Sequence, residues 1–250
     1  MSSGIWMAAS GAQAQMTALS ATANNLANAT TTGYKADQAV FQEHLVRALY
    51  SGNARTQMRY TGIAELAADQ RGGPIQVTQR PLDAALDGDG YFTVQTPQGP
   101  RYTRAGNFEV GPGGTLSTAQ GYPVLGTGGS QITIPADRGT AAIGDDGVVR
   151  LQVQNQPDEE LGKIGVVTFS NANALEKQGD QLFRMTRASG APKPVETQIK
   201  PGAIELPNVS VVKGMTDLVS ATRAFEAMEK AVEAYSDMDR RAASDIVGAR

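Results

Sequence analysis

The chain has a single histidine, His44, and no cysteine. Disulfides, thiolate nucleophiles and thiolate metal sites are excluded, and histidine chemistry has one candidate residue. His44 sits in a weakly patterned stretch and reads as an ordinary polar residue. Asp83, Asp87 and Asp89 have a spacing reminiscent of a calcium loop. With Gly90 as the loop glycine, an EF-hand needs carboxylates at positions 85 and 96, where the chain has Ala85 and Thr96. Gly88-Asp89-Gly90 is then a tight turn. Asp145-Asp146 and Glu159-Glu160 lie in turn-like contexts and read as solvated loops, not as acid/base pairs. Gly126 to Gly129 lacks the Lys-Ser/Thr of a phosphate loop and does not open a helix. Asn28-Ala29-Thr30 fits a glycosylation pattern by chance, and Trp6 suits a helix contact better than a ligand. No catalytic constellation, metal site or cofactor site is expected, so the chain reads as non-enzymatic.

Bulk properties narrow the classes further. At 250 residues the chain can bury one large core or two modest ones. A net charge of −3 and a pI near 5.3 exclude the basic footprint of a nucleic-acid binder. The 28 glycines and 12 prolines imply many turns between short strands. No run approaches the ~18 apolar residues of a membrane span. The first twenty residues lack a basic start, and Gln13, Gln15 and Thr17 interrupt any apolar core, so no cleaved secretory signal is expected.

The elements that carry information are at the two ends. Residues 1–34 contain no charged side chain. From about Ile5 to Asn28 they read as one helix that stops in Thr30-Thr31-Thr32-Gly33. Ala9, Met16 and Ala23 fall seven apart, and Ile5, Ala12, Leu19 and Leu26 form a second row three residues beyond the first. That is the a/d seam of a coiled coil. Near the other end Leu218, Phe225, Val232 and Ile246 make one row, and Ala221, Met228, Tyr235 and Ala242 the other. This second helix is expected to start near Asn208 as its N-cap. These fifteen residues are the expected assembly interface. A solvated helix carries Lys and Glu outside its seam, whereas the first helix has Ser, Thr, Gln, Asn and Ala there, which suits packing on several sides.

Between the helices, 34–80 reads as an extended connector with some strand content and a short helix at Phe41 to Tyr50. Residues 81–205 read as a compact all-β domain. Val148 to Gln154, Ile132 to Ile134 and Ile164 to Phe169 are strand candidates, separated by glycine turns. The expected fold class is α+β: terminal helices over 1–33 and 206–250 pairing as a coiled coil, a connector, and a central β domain. Such a chain reads as an assembly subunit whose first partner is another copy of itself; the alternative is a periplasmic ligand-binding β domain with the helices as dimerisation handles.

Specific strings sharpen this. Asn24-Asn25-Leu26-Ala27-Asn28 with Thr31-Thr32-Gly33-Tyr34-Lys35 resembles the N-terminal signature of the bacterial flagellar rod and hook family. Pro81-Leu82-Asp83, Asp87-Gly88-Asp89-Gly90-Tyr91-Phe92, Tyr102-Thr103-Arg104-Ala105-Gly106 and Gly121-Tyr122-Pro123-Val124-Leu125-Gly126 resemble its central motifs in order. Asn208-Val209, Arg223-Ala224-Phe225-Glu226 and Lys230 resemble its C-terminal helix. The likeness spans nearly the whole chain. It implies a structural subunit of the flagellar basal body, the periplasmic rod, with neighbouring rod proteins as partners. It also implies delivery by the flagellar type III export apparatus, without nucleic acid or a direct membrane span. The modest length between Lys35 and Pro81 resembles the proximal rod branch more than the distal rod or hook branches. Two departures concern local turns: Gln79-Arg80 stand where the family usually has Gly-Asn, and Pro207 stands where Ser is common.

Overall fold

Alanine-rich and free of proline, the N-terminal segment forms helix α1 (Ser3–Ala27). The computed structural model describes residues 3–47, 57–135, 138–153 and 157–248, with side chains described over 9–38, 67–135, 138–153, 157–238 and 240–241. The chain divides into two units. One comprises Met1–Ala27, Asp37–Ala67 and Ser210–Arg250; the other comprises Asn28–Ala36 and Ala68–Val209.

The first unit holds α1, two strands and a long C-terminal helix. Strands β1 (Asp37–Arg47) and β2 (Gln57–Ala68) form a two-stranded sheet. The short helix expected from Phe41 is therefore strand as far as Arg47, and residues 48–50 lie outside the described ones. Pairing with β2 gives this backbone cross-strand partners, which overrides a weak local preference. Asn25 fixes β1 to the end of α1. Its Nδ2 donates to the Asp37 carbonyl at 2.8 Å, and its Oδ1 accepts from the Asp37 N–H at 2.7 Å. The C-terminal helix α2 runs Val211–Gly248. Its N-cap is Ser210, whose hydroxyl accepts from the Lys213 N–H at 3.4 Å, and not Asn208.

The second unit is β-rich. Its strands are β3 (Ile75–Val77), β4 (Ala84–Asp87), β5 (Tyr91–Thr96), β6 (Gly99–Thr103), β7 (Phe108–Val110), β8 (Leu116–Thr118), β9 (Thr140–Ile143) and β10 (Val148–Gln152). They continue with β11 (Glu159–Lys163), β12 (Val166–Thr168), β13 (Glu176–Lys177), β14 (Leu182–Arg184), β15 (Lys193–Pro194), β16 (Gln198–Pro201) and β17 (Ala203–Glu205). The largest sheet has the order β13-β14-β6-β5-β12-β15; a second runs β11-β10-β9; the pairs β16-β4, β17-β3 and β7-β8 complete the unit. Ile132 to Ile134 is not a continuous strand, but Gln131 and Thr133 make single bridges to Leu125 and Thr115.

Alternation along the large sheet covers both of its faces. Phe92, Val94 and Leu182 join Phe108, Leu116, Val149, Leu151 and Ile164 in the main core. The intervening Tyr91, Tyr102 and Phe183 build a second cluster with Phe169 and Leu175. Its rings meet edge to face, at 4.7 Å between Tyr102 and Phe169 and 5.6 Å between Tyr91 and Phe183.

The two departures from the family pattern behave differently. Gln79 has φ +61°, in the left-handed region that disfavours side chains. Gln79→Gly should therefore raise stability by about 1 kcal/mol, the left-handed cost less the extra freedom of glycine in the unfolded chain. Urea unfolding checks this, and a lower midpoint for the variant would refute it. Pro207 costs nothing comparable. The neighbouring N–H groups are both used, Leu206 to the Pro74 carbonyl at 2.9 Å and Asn208 to the Tyr34 carbonyl at 3.4 Å, while position 207 itself needs no donor.

Candidate assembly interface

Within the first unit α1 and α2 pack against each other in opposite directions. A side-chain atom built on Gly11 would sit 3.5 Å from the Met228 sulfur, and one on Gly214 would sit 3.8 Å from a Leu26 methyl. Small residues make this approach possible. Among the described side chains of α1, Ala14 and Ala21 are buried, with Gly11, Ala18 and Asn25 half-buried on the same face.

Expected seam residues are distributed unevenly. On α2, Leu218, Ala221, Phe225, Met228 and Val232 are all half-buried, while Tyr235 is exposed. On α1, Ala12, Leu19 and Leu26 are half-buried, whereas Ala9, Met16 and Ala23 face outward in the single chain. The side chains of Ile5, Ala242 and Ile246 lie outside the described ones, as do those of Trp6 and His44. Beyond the expected set, Val212, Met215 and Val219 of α2 are large, apolar and exposed. Their three-four spacing carried the signal.

The second unit gathers its own convergence point, which the sequence reading missed. Lys35, Glu205 and Arg104 are all buried, although charged residues are seldom so fully enclosed. Lys35 Nζ donates to Glu205 Oε1 at 2.6 Å and to the Arg71 carbonyl at 2.8 Å. Glu205 Oε1 also accepts the Gly73 N–H at 2.8 Å, and its Oε2 lies 3.4 Å from Arg104 Nη1. Arg104 reaches the Gly88 carbonyl at 2.8 Å and lies over the Tyr91 ring, 5.2 Å from its centroid. Burial lowers the Lys35 pKa from its ordinary value, with Glu205 pulling the other way.

Around this cluster the motif residues acquire jobs. Gly33 has φ +69°, and a Cβ there would lie 2.3 Å from the Ala105 nitrogen. Only glycine lets the chain pass so close. Tyr34 is buried with Lys177 Nζ 4.3 Å from its ring centroid. Asn208 is not a helix cap: it accepts the Ala36 N–H at 2.7 Å and donates to the carbonyls of Asp69 (2.9 Å) and Arg71 (3.1 Å). It therefore satisfies three backbone groups that no strand serves.

Burial also raises the Tyr91 hydroxyl to about 12, against Arg104, which lowers it. Below pH 10 the phenol is neutral in both folded and unfolded chains. Above pH 10 the unfolded chain ionises first, so stability falls by about 2 kcal/mol by pH 12. Tyr91→Phe should flatten this alkaline loss, measured as unfolding midpoint against pH. An unchanged slope would refute it.

Of the adjacent carboxylates elsewhere, Asp146, Glu159 and Glu160 pair with arginines. Arg150 holds the Asp146 carboxyl down to about 2 and also contacts Glu160 at 3.2 Å, while Arg138 lies 3.6 Å from Glu159. A cavity of about 450 Å³ lies nearby, floored by Ile164, Val166, Val195 and Ile199. Among the described residues no cluster of metal-ligating groups occurs, and no helix is long and apolar enough to cross a membrane.

Comparison with known proteins gives a consistent result. Three family profiles match in order: "Flagella basal body rod protein" over residues 5–35, "Flagellar hook protein FlgE/F/G D1 domain" over 85–151, and "Flagellar basal body rod FlgEFG protein C-terminal" over 200–245. The chain is 35% identical to the flagellar basal-body rod protein FlgF of Caulobacter vibrioides, over 88% of each chain. It is 33% identical to FlgG of Bacillus subtilis, over 89% of this chain and 91% of that protein. It is 32% identical to FlgF of Salmonella typhimurium, over 97% of each.

Proposed function

We propose a proximal position in the rod for this chain, which belongs to the flagellar basal-body rod protein family. It is a structural subunit of the basal body and not an enzyme, and it assembles with other rod proteins. The observation that carries the proximal position is the modest span from Lys35 to Pro81. In that span the chain resembles the proximal branch of the family more than the distal rod or hook branches. Similarity to FlgG of Bacillus subtilis at 33% identity favours the distal rod as the second reading.

In the proposed assembly the terminal helices pair as a coiled coil and line the core of a helical tube. The β domain lies outside, and the connector meets neighbouring subunits. Ile5, Ala9, Ala12, Met16, Leu19, Ala23 and Leu26 of the first helix would serve as contacts. Leu218 to Ile246 of the second supply the matching seam. Heterologous contacts repeated without closure make such a polymer and transmit torque through it. Subunits reach it through the flagellar type III export apparatus.

Placement of a labelled subunit in purified basal bodies tests this. Label at the membrane-proximal end of the rod is expected. Label next to the hook would overturn the proximal position in favour of the distal one.

A further inference from the structure

The geometry points to a specific contact between copies: the outward face of α1 in one copy seats against the outward Val212-Met215-Val219 face of α2 in the next. This rests on the rod reading and names the partner surfaces within it.

Both faces are exposed in the single chain. Met16 is 58% exposed and lies in a stripe with Ala9, Gln13, Ser20 and Ala23. Val212, Met215 and Val219 are 78%, 54% and 51% exposed. They lie off the face of α2 that carries half-buried Leu218, Ala221 and Phe225. Nearby hydroxyls on both faces already donate to their own helices. Thr17 bonds the Gln13 carbonyl at 3.0 Å and Ser20 the Met16 carbonyl at 2.9 Å; Thr216 bonds Val212 at 2.7 Å and Ser220 bonds Thr216 at 2.9 Å. These polar side chains can be covered without stranding a donor.

Shape and charge choose the pairing. The α1 face is uncharged and mostly small, with Met16 its one large apolar side chain, and the α2 patch is bulky and ends at the charged Arg223 and Glu226. Small against bulky fills space, whereas α1 on α1 brings little apolar surface together. Bulky on bulky, α2 against α2, is a self-complementary contact that closes as a dimer. Only α1 on α2 leaves an unused face at each end, as an open polymer requires.

The cysteine-free sequence makes the test direct. Gly11 lies beside Met228 and Gly214 beside Leu26, so within one chain Met215 is level with about residue 25 of α1. That is roughly 14 Å along the axis from Met16, and on the opposite side of the helix pair. A short bis-maleimide applied to basal bodies carrying Met16→Cys with Met215→Cys should yield a ladder of dimers, trimers and longer species. Each single variant should yield monomer. Dimers from either single variant, or incorporation without a ladder, would overturn the pairing and leave the rod reading intact. Absence of the wild-type chain from basal bodies would overturn both. Met215→Glu provides a second arm: incorporation should fall at least tenfold with unchanged monomer unfolding, while Met215→Leu assembles normally. Wild-type incorporation of Met215→Glu would equally overturn the pairing.

Discussion

Glu205→Ala should destabilise the β-rich unit by about 3–5 kcal/mol, the cost of leaving a buried charge without its partner. Three losses coincide at one carboxylate. Lys35 and Arg104, both buried, would face each other without the anion between them, and the Gly73 N–H would lose its acceptor. Lys35→Met should cost much less. It removes one of two cations and leaves Glu205 with Arg104, while the Arg71 carbonyl keeps its bond from Asn208. It also removes an ammonium whose burial is itself unfavourable, as the lowered Lys35 pKa indicates. Denaturant unfolding of the full chain measures both. If Lys35→Met proves as damaging as Glu205→Ala, the imbalance of two cations to one carboxylate is not what governs this cluster.

Leu19→Asp and Phe225→Asp are expected to abolish incorporation into basal bodies while the β-rich unit unfolds as before. Each residue is half-buried on a helix of the first unit, and among the described residues neither helix contributes to the cores of the second. A carboxylate placed in an apolar helix contact costs several kcal/mol, enough to outweigh most single subunit contacts. Lys213→Ala is the contrast. Its exposed pair with Asp217, at 2.9 Å, contributes at most about 1 kcal/mol. Normal incorporation of the two aspartate variants would show that these rows do not form the interface.

Legibility of the sequence varied with how local the signal was. Both helices could be read from spacing, because Leu218, Phe225 and Met228 stand out against charged neighbours. The side that α1 turns toward α2 could not. Its centre is Gly11, Ala14, Ala18 and Ala21, residues too small to contrast with the alanines elsewhere on the helix, and close approach is what makes them useful. Short strands bounded by glycine turns were legible in kind, but Ile132 to Ile134 showed that an apolar run can serve a core through isolated bridges. The β1 strand escapes a local reading because its partner β2 lies further along the chain and supplies what local propensity does not. The charge cluster was invisible for a different reason. Lys35 and Glu205 are 170 positions apart, and nothing near either one announces burial. Asn208 was read through its neighbour in sequence, a helix, whereas its bonds go to backbone around Ala36, Asp69 and Arg71.

Strand pairing in the β-rich unit also orders events in time. Ala84–Asp87 pairs with Gln198–Pro201, Ile75–Val77 pairs with Ala203–Glu205, and Lys35 awaits Glu205. Early segments thus find their partners only among the last residues before α2. A growing chain that stops short of residue 198 can form the β5–β6 hairpin but lacks the strand that pairs along Ala84 to Asp87. Closing such long loops delays folding until the late strands are present, because the entropic cost of closure must be met before the pairing is gained. Completion of this unit therefore registers that nearly the whole chain has been made.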